Sequence, residues 1–245
     1  MAGTSESSPV IKFLVVGDAG VGKTSIIQRY VSDTFSASQQ PTVGVDFFIK
    51  EVTLEGGEHT TGGTAPTVRV QLWDIAGQDR AKKVNRVYFK DALGALIVYD
   101  VSRPRTFDSA VKWKQELDGN VTLPNGNALP VVLLGNKIDL EVAQVDVAYV
   151  DSFVKKHGFI AWSDVSAKDT SNTDFEISVE CLVQQLVCGE ELFGPDMRRS
   201  ATAFENKIEI HNNSVRSSTK LGSGGGIRLV RDKSGDATDM GGCCG

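Results

Sequence analysis

Short apolar runs of strand length alternate with stretches of helical spacing along most of this chain. Val10–Val16 is apolar and β-branched, as a strand requires. Ser25–Val31 follows, with apolar residues at 26, 27, 30 and 31, the spacing of one helix face. Further apolar runs occur at Leu93–Asp100, Pro130–Gly135 and Gly158–Trp162. Such near-continuous runs predict strands of a sheet covered on both faces by helices. The stretches around 78–90, 106–118, 143–157 and 173–188 predict those helices. The last opens with Thr173-Asp174-Phe175-Glu176, a capping-box pattern, and sets Phe175, Val179, Leu182 and Leu186 along one face.

One region departs from this alternation. Val45–Leu54 and Val68–Trp73 are two strand-like runs with no helix between them, which predicts an antiparallel hairpin. Their connection, 55–67, is glycine-rich and polar and reads as an exposed loop. In the second run Val68, Val70 and Leu72 share a face, which puts Trp73 on the other. The expected architecture is α/β, a six-stranded, mostly parallel sheet with one antiparallel edge strand. Residues 1–9 read as a disordered leader and 10–189 as the folded domain. Residues 190–245, rich in Ser, Gly, Asn and Asp and balanced in charge, read as a disordered tail.

Composition narrows the function classes. The chain has 245 residues, 40% of them hydrophobic, and a net charge of −5. An acidic balance speaks against a nucleic acid polymer as partner. The first residues lack the apolar core of a signal peptide, Gly3 is not placed for myristoylation, and no apolar run is long enough to span a bilayer. Cys181 and Cys188 sit in a helical pattern and read as buried thiols. Cys243 and Cys244 lie adjacent near the C-terminus.

The candidate chemistry starts at Gly17-Asp18-Ala19-Gly20-Val21-Gly22-Lys23-Thr24, between the first strand and the first helix. It matches G-x-x-x-x-G-K-[ST], a loop whose backbone N–H groups wrap a polyphosphate. Lys23 would reach the β and γ phosphates, the Thr24 hydroxyl would ligate Mg²⁺, and the helix N-terminus would add its positive end. Asp74-Ile75-Ala76-Gly77-Gln78 follows the hairpin strand. There Asp74 would hold Mg²⁺, Gly77 would offer an N–H to the γ phosphate, and Gln78 would orient the attacking water. Thr42, in the loop before the hairpin, would reach both Mg²⁺ and the γ phosphate. Asn136-Lys137-Ile138-Asp139 follows a strand. Its Asp139 carboxylate would accept two hydrogen bonds from guanine, a donor pair adenine lacks. Ser166-Ala167-Lys168 would complete the base pocket.

In this order the elements resemble the Ras-like small GTPases, a P-loop fold, and within them the Rab proteins. Val43-Gly44-Val45-Asp46-Phe47, Leu72-Trp73-Asp74 and Ala95–Asp100 are similar to Rab signatures. Ile75, Lys112-Trp113-Lys114 and Leu123-Pro124-Asn125-Gly126 resemble the Rab thirty-two and thirty-eight subgroup, which serves lysosome-related organelles and endolysosomal traffic. The resemblance adds Ser25 to the nucleotide contacts and Phe35 as the aromatic that packs on guanine. It makes Phe47, Trp73 and Tyr88 an effector-facing triad. It implies geranylgeranyl groups on Cys243 and Cys244, and leaves open whether one or both are modified. It further implies a monomer that exchanges GTP and GDP with Mg²⁺ as cofactor. The implied partners are effectors, an exchange factor, a GTPase-activating protein (GAP), a prenylation escort and a GDP-dissociation inhibitor. The implied location is the cytosolic face of intracellular membranes, with a cytosolic pool. Asp79 and Ala81 depart from the Rab pattern, the 55–67 loop is longer than usual, and the end is Cys-Cys-Gly.

Two other readings fit part of this pattern. A hydrolysis-poor GTP-binding scaffold draws on Ala19 beside the γ phosphate and on the altered segment after Gln78, and is opposed by Gln78 itself. A nucleoside kinase shares the phosphate loop but not Asn136–Asp139.

Overall fold

The computed structural model describes residues 8–53, 67–79, 85–140, 145–189 and 227–229. Its strands are β1 (Val10–Val16), β2 (Val45–Thr53), β3 (Thr67–Ile75), β4 (Gly94–Asp100), β5 (Val131–Asn136), β6 (Ala161–Val165) and β7 (Arg228–Leu229). They form one sheet in the order β2-β3-β1-β4-β5-β6-β7. Neighbours from β3 to β6 run parallel, while β2 and β7 are antiparallel at the two edges. The helices are α1 (Lys23–Ser32), α2 (Asn85–Phe89), α3 (Pro104–Asp118), α4 (Val147–Lys156) and α5 (Asp174–Gly189).

Every residue of β4 and β5 is buried, as unbroken apolar runs under two helical layers require. β3 alternates as expected: Val68, Val70 and Leu72 are fully buried and Trp73 only partly. The α5 face of Phe175, Val179, Leu182 and Leu186 is buried, with Cys181 beside it. Local chemistry sets helix ends. Pro104 opens α3, where a missing N–H costs nothing. The Asp146 side chain caps α4 by accepting from the Ala148 N–H.

Four expectations change. The sheet has seven strands among the described residues, because part of the predicted tail returns as β7. The sixth strand spans 161–165 rather than 158–162, so Phe159 belongs to the turn after α4 and Ser163 and Asp164 lie inside the sheet. Of the helix expected over 78–90, the described residues form a 3-10 turn at Gly77–Asp79 and the short α2, and 80–84 lie outside them. The helix expected from 143 begins at Val147, where Asp146 caps it.

This topology sends the carboxyl ends of β1, β3, β4, β5 and β6 to one rim of the sheet. In open α/β sheets that rim is where ligands bind.

Candidate nucleotide site

The loop from Gly17 to Gly22 joins β1 to α1 at this rim. Gly17 and Gly22 adopt φ of 145° and 97°, which L side chains rarely do. A Cβ at Gly17 would run into the Val98 carbonyl oxygen, and one at Gly22 into Asn136 Nδ2. The obstruction at both glycines is thus with the protein itself. Lys23 is nearly buried, and its ammonium donates to the carbonyls of Gly17 at 2.9 Å and Asp18 at 3.0 Å. Burial pushes Lys23 down to about 8, against the opposing pull of Asp74 and Asp18.

Beside it three oxygen-bearing side chains converge from three elements. Thr24 Oγ1 lies 2.7 Å from Thr42 Oγ1 and donates to Asp74 Oδ2 at 2.5 Å, and Thr42 Oγ1 donates to the same oxygen at 3.2 Å. Asp74 is fully buried, and its Oδ1 has no hydrogen-bond partner among the described residues. Burial raises the Asp74 carboxyl, moderated chiefly by the Thr24 hydrogen bond and the Lys23 charge. Hard oxygens with one buried carboxylate oxygen left over suit a small divalent cation.

The loops after β5 and β6 form the other half. Asn136 is buried and braces two loops at once: its Nδ2 donates to Val21 O at 2.8 Å and its Oδ1 accepts from the Ala167 N–H at 3.3 Å. Lys137, at φ 72°, donates to Gly20 O at 2.9 Å. The Ser166 hydroxyl donates to Asp139 Oδ1 at 2.7 Å and accepts from the Lys168 and Asp169 N–H groups.

Between these halves lies a cleft of about 610 Å³, a volume suited to a nucleotide-sized ligand. All the residues predicted to contact nucleotide line it except Asp18, Val21 and Ser166. Val21 is fully buried, and Ser166 sits behind Asp139. Gln78, on the turn after β3, is exposed and lines the cleft. Phe35 stands at its mouth, 39% exposed.

Four structural supports were not found from sequence. Asp100, buried at the end of β4, accepts from Lys137 at 2.7 Å and Arg103 at 2.9 Å. Arg103 then reaches Ala19 O at 3.2 Å, so one carboxylate steadies both cations that hold the phosphate loop. Burial would raise Asp100, but Lys137, Ser102 and Arg103 outweigh it and hold the carboxyl below its usual range. Trp113 of α3 donates its indole N–H to Asp18 Oδ1 at 3.0 Å. Arg29 of α1 donates to Ala167 O at 3.0 Å, tying the last base loop to the first helix. An acid closing an otherwise apolar run, as Asp100 does, is the signal that could have found the first of these.

Away from the cleft, Phe47 on β2, Trp73 on β3 and Tyr88 on α2 form a continuous aromatic patch, with ring centroids 6.0 and 6.4 Å apart. Phe47 is 66% exposed. The Lys12 ammonium sits 3.7 Å from the Trp73 ring centroid and donates to Lys90 O, which holds the indole in place. Cys243, Cys244, Ala81 and most of the 55–67 loop lie outside the described residues.

A phosphate loop, a hydroxyl–carboxylate cluster and the loops bearing Asn136–Asp139 and Ser166–Lys168 share one parallel rim, the arrangement of a Ras-like G domain. The chain belongs to the Ras family, whose model matches residues 12–186. Within that family its relatives are Rab proteins. It is 41% identical to human Ras-related protein Rab-32 over 86% of this chain and 88% of that one. It is 45% identical to human Ras-related protein Rab-7L1, over 66% of this chain and 76% of the relative. It is 42% identical to Ras-related protein Rab-32B of Dictyostelium discoideum, over 66% and 59%. It is a Rab-like GTPase, a switch that binds GTP and GDP, hydrolyses GTP and acts in membrane traffic.

Proposed function

We propose that the cleft works as two halves, one reading the base and one reading the γ phosphate. The observation that carries this is the convergence of Thr24, Thr42 and Asp74 from three separate elements onto one buried carboxylate oxygen. Thr24, Thr42 and Asp74 are the side chains that would hold Mg²⁺, which when bound neutralises charge on the β and γ phosphates. Asp139 accepts from the guanine base, held at one oxygen by Ser166. Asn136, Lys137, Ala167 and Lys168 shape the base pocket, with Phe35 against the base. The backbone from Asp18 to Ser25 cradles the phosphates, and Lys23 turns its ammonium to them. Gly77 offers its N–H to the γ phosphate, and Gln78 orients water for in-line attack. Loss of the γ phosphate removes what draws Thr42 and Gly77 inward, and the surface bearing Phe47, Trp73 and Tyr88 changes with them.

On this reading the aromatic patch is the effector face of the GTP form. The further partners are an exchange factor, a GAP that raises slow intrinsic turnover by orders of magnitude, a prenylation escort and a GDP-dissociation inhibitor. Geranylgeranyl groups on Cys243 and Cys244 anchor the chain. Two chains give stable binding where one is marginal, and 190–245 bring no net positive charge to assist. The compartment is endolysosomal or lysosome-related. Changing both cysteines to Ser tests the anchor: GTP binding persists and the protein moves from membrane to cytosolic fractions. Membrane retention of that variant would contradict it. Single-turnover hydrolysis tests the site: turnover that depends on Mg²⁺ and on Gln78 supports it, and a rate indifferent to both contradicts it.

A further inference from the structure

Among the described residues, the C-terminal region returns to the domain at Ile227–Leu229. β7 pairs antiparallel with β6, with Leu229 opposite Ala161 and Arg228 opposite Trp162. Three side chains reinforce that pairing. Ile227 is fully buried, and Leu229 packs against the core. Arg228 stands 5.3 Å from the centre of the Trp162 ring. Trp162 is itself fixed, its indole N–H donating to Asp151 of α4 at 2.7 Å. A cation over an anchored aromatic face, flanked by two seated aliphatic residues, is more than a chance backbone crossing. It also covers the outer edge of β6, which would otherwise offer unpaired N–H and C=O groups to any extended chain.

We propose that Ile227–Leu229 is an intramolecular latch that seats the C-terminal arm on the outer edge of β6. The seat is a small one, since β7 has two residues. A single such pair of strands is weak enough to open and reclose, so the latch is reversible. The consequence is geometric. A chain spans at most ~3.4 Å per residue, so from Gly189 the residues up to Cys243 could reach about 180 Å, but from a seated Leu229 only about 48 Å. The latched domain therefore stays close to whatever holds Cys243 and Cys244, and the unlatched domain is free to stand off. This consequence rests on the lipidated-end reading, whereas the docking itself does not.

Hydrogen exchange on the full GDP-bound chain tests the docking. The comparison is between the parent and an Ile227→Asp, Leu229→Asp variant, with GTP binding measured on both to show that each is folded. We expect exchange in a peptide covering 160–165 to quicken about tenfold in the variant, while the 136–139 segment keeps its rate. The conservative Ile227→Val, Leu229→Ile pair should restore the protection. Identical exchange over 160–165 in parent and Asp variant would overturn the latch. An intact latch in a chain whose terminal cysteines carry no lipid would remove only the consequence for membrane reach.

Discussion

The two halves of the cleft are built differently. On the base side, Asn136, Ser166 and Asp100 are buried, and each carries at least two hydrogen bonds or ion pairs, at least one of which ties its loop to another. On the γ-phosphate side, Val43 is 91% exposed and Gln78 is exposed. Among the described residues the bonds there are few, chiefly the Thr24–Thr42–Asp74 cluster and one backbone bond from Ala76 N–H to Gly44 O. Buried polar networks hold one geometry, because every broken bond leaves a desolvated partner. A half-exposed loop with few bonds takes its geometry from its ligand. On the proposed reading, base selection rests on a preformed pocket, while the nucleotide state is read by a segment that the γ phosphate itself arranges.

The sharpest way to break this contrast is to attack the base reader. Asp139→Asn should weaken GTP binding by at least ~10³-fold, since the variant meets two guanine donors with a mismatched amide. It should turn preference toward xanthine nucleotides. Titration calorimetry with both nucleotides checks this. In the other half, Gln78→Leu should leave GTP affinity near the parent value and slow single-turnover hydrolysis by about 10²-fold, because water is no longer held in line. A middle case separates bracing from contact. Asp100 lies behind the Lys137–Gly20 and Arg103–Ala19 hydrogen bonds, so Asp100→Asn should speed GDP release about tenfold by freeing both cations. A fluorescent-GDP chase reads that rate, with guanine-over-xanthine preference unchanged.

The smallest expected effect lies at the far edge of the sheet. Asp164 on β6 is pushed up to about 6, by burial first and then by the nearby Asp174 charge, with Arg228 opposing. A raised carboxyl contributes stability that is complete below its unfolded value near 4 and is lost as pH rises through about 6. Asp164→Asn removes that loss. The variant should match the parent at pH 4 and exceed it by about 1–2 kcal/mol at pH 7.5, a figure reduced for partial solvent access. Urea unfolding at the two pH values measures it.

Much of the molecule was legible because its signals were local. The phosphate loop, the apolar strands β4 and β5, and the alternation that turned Trp73 outward needed only spacing. The strand β6 was misplaced because its interior holds Ser163, fully buried, and Asp164. A reading by hydropathy stops at such residues and favours the apolar Phe159 and Ile160 just before them. The strand β7 left no signal, since an apolar–polar–apolar triplet is too short to show a period, and its partner lies about 65 residues earlier in the chain. The Asp100 brace was missed for a related reason. What makes it matter is the spatial meeting of Lys137 and Arg103 over one carboxylate, and sequence distance hides that.

The division of the cleft is tested most directly by hydrogen exchange on the same chain loaded with GDP and with a non-hydrolysable GTP analogue. Protection should rise with the GTP analogue over 42–49 and 73–79, while 136–139 and 166–168 exchange alike in both states. Equal exchange over 42–49 and 73–79 in the two states, or a change confined to the base loops, would contradict it.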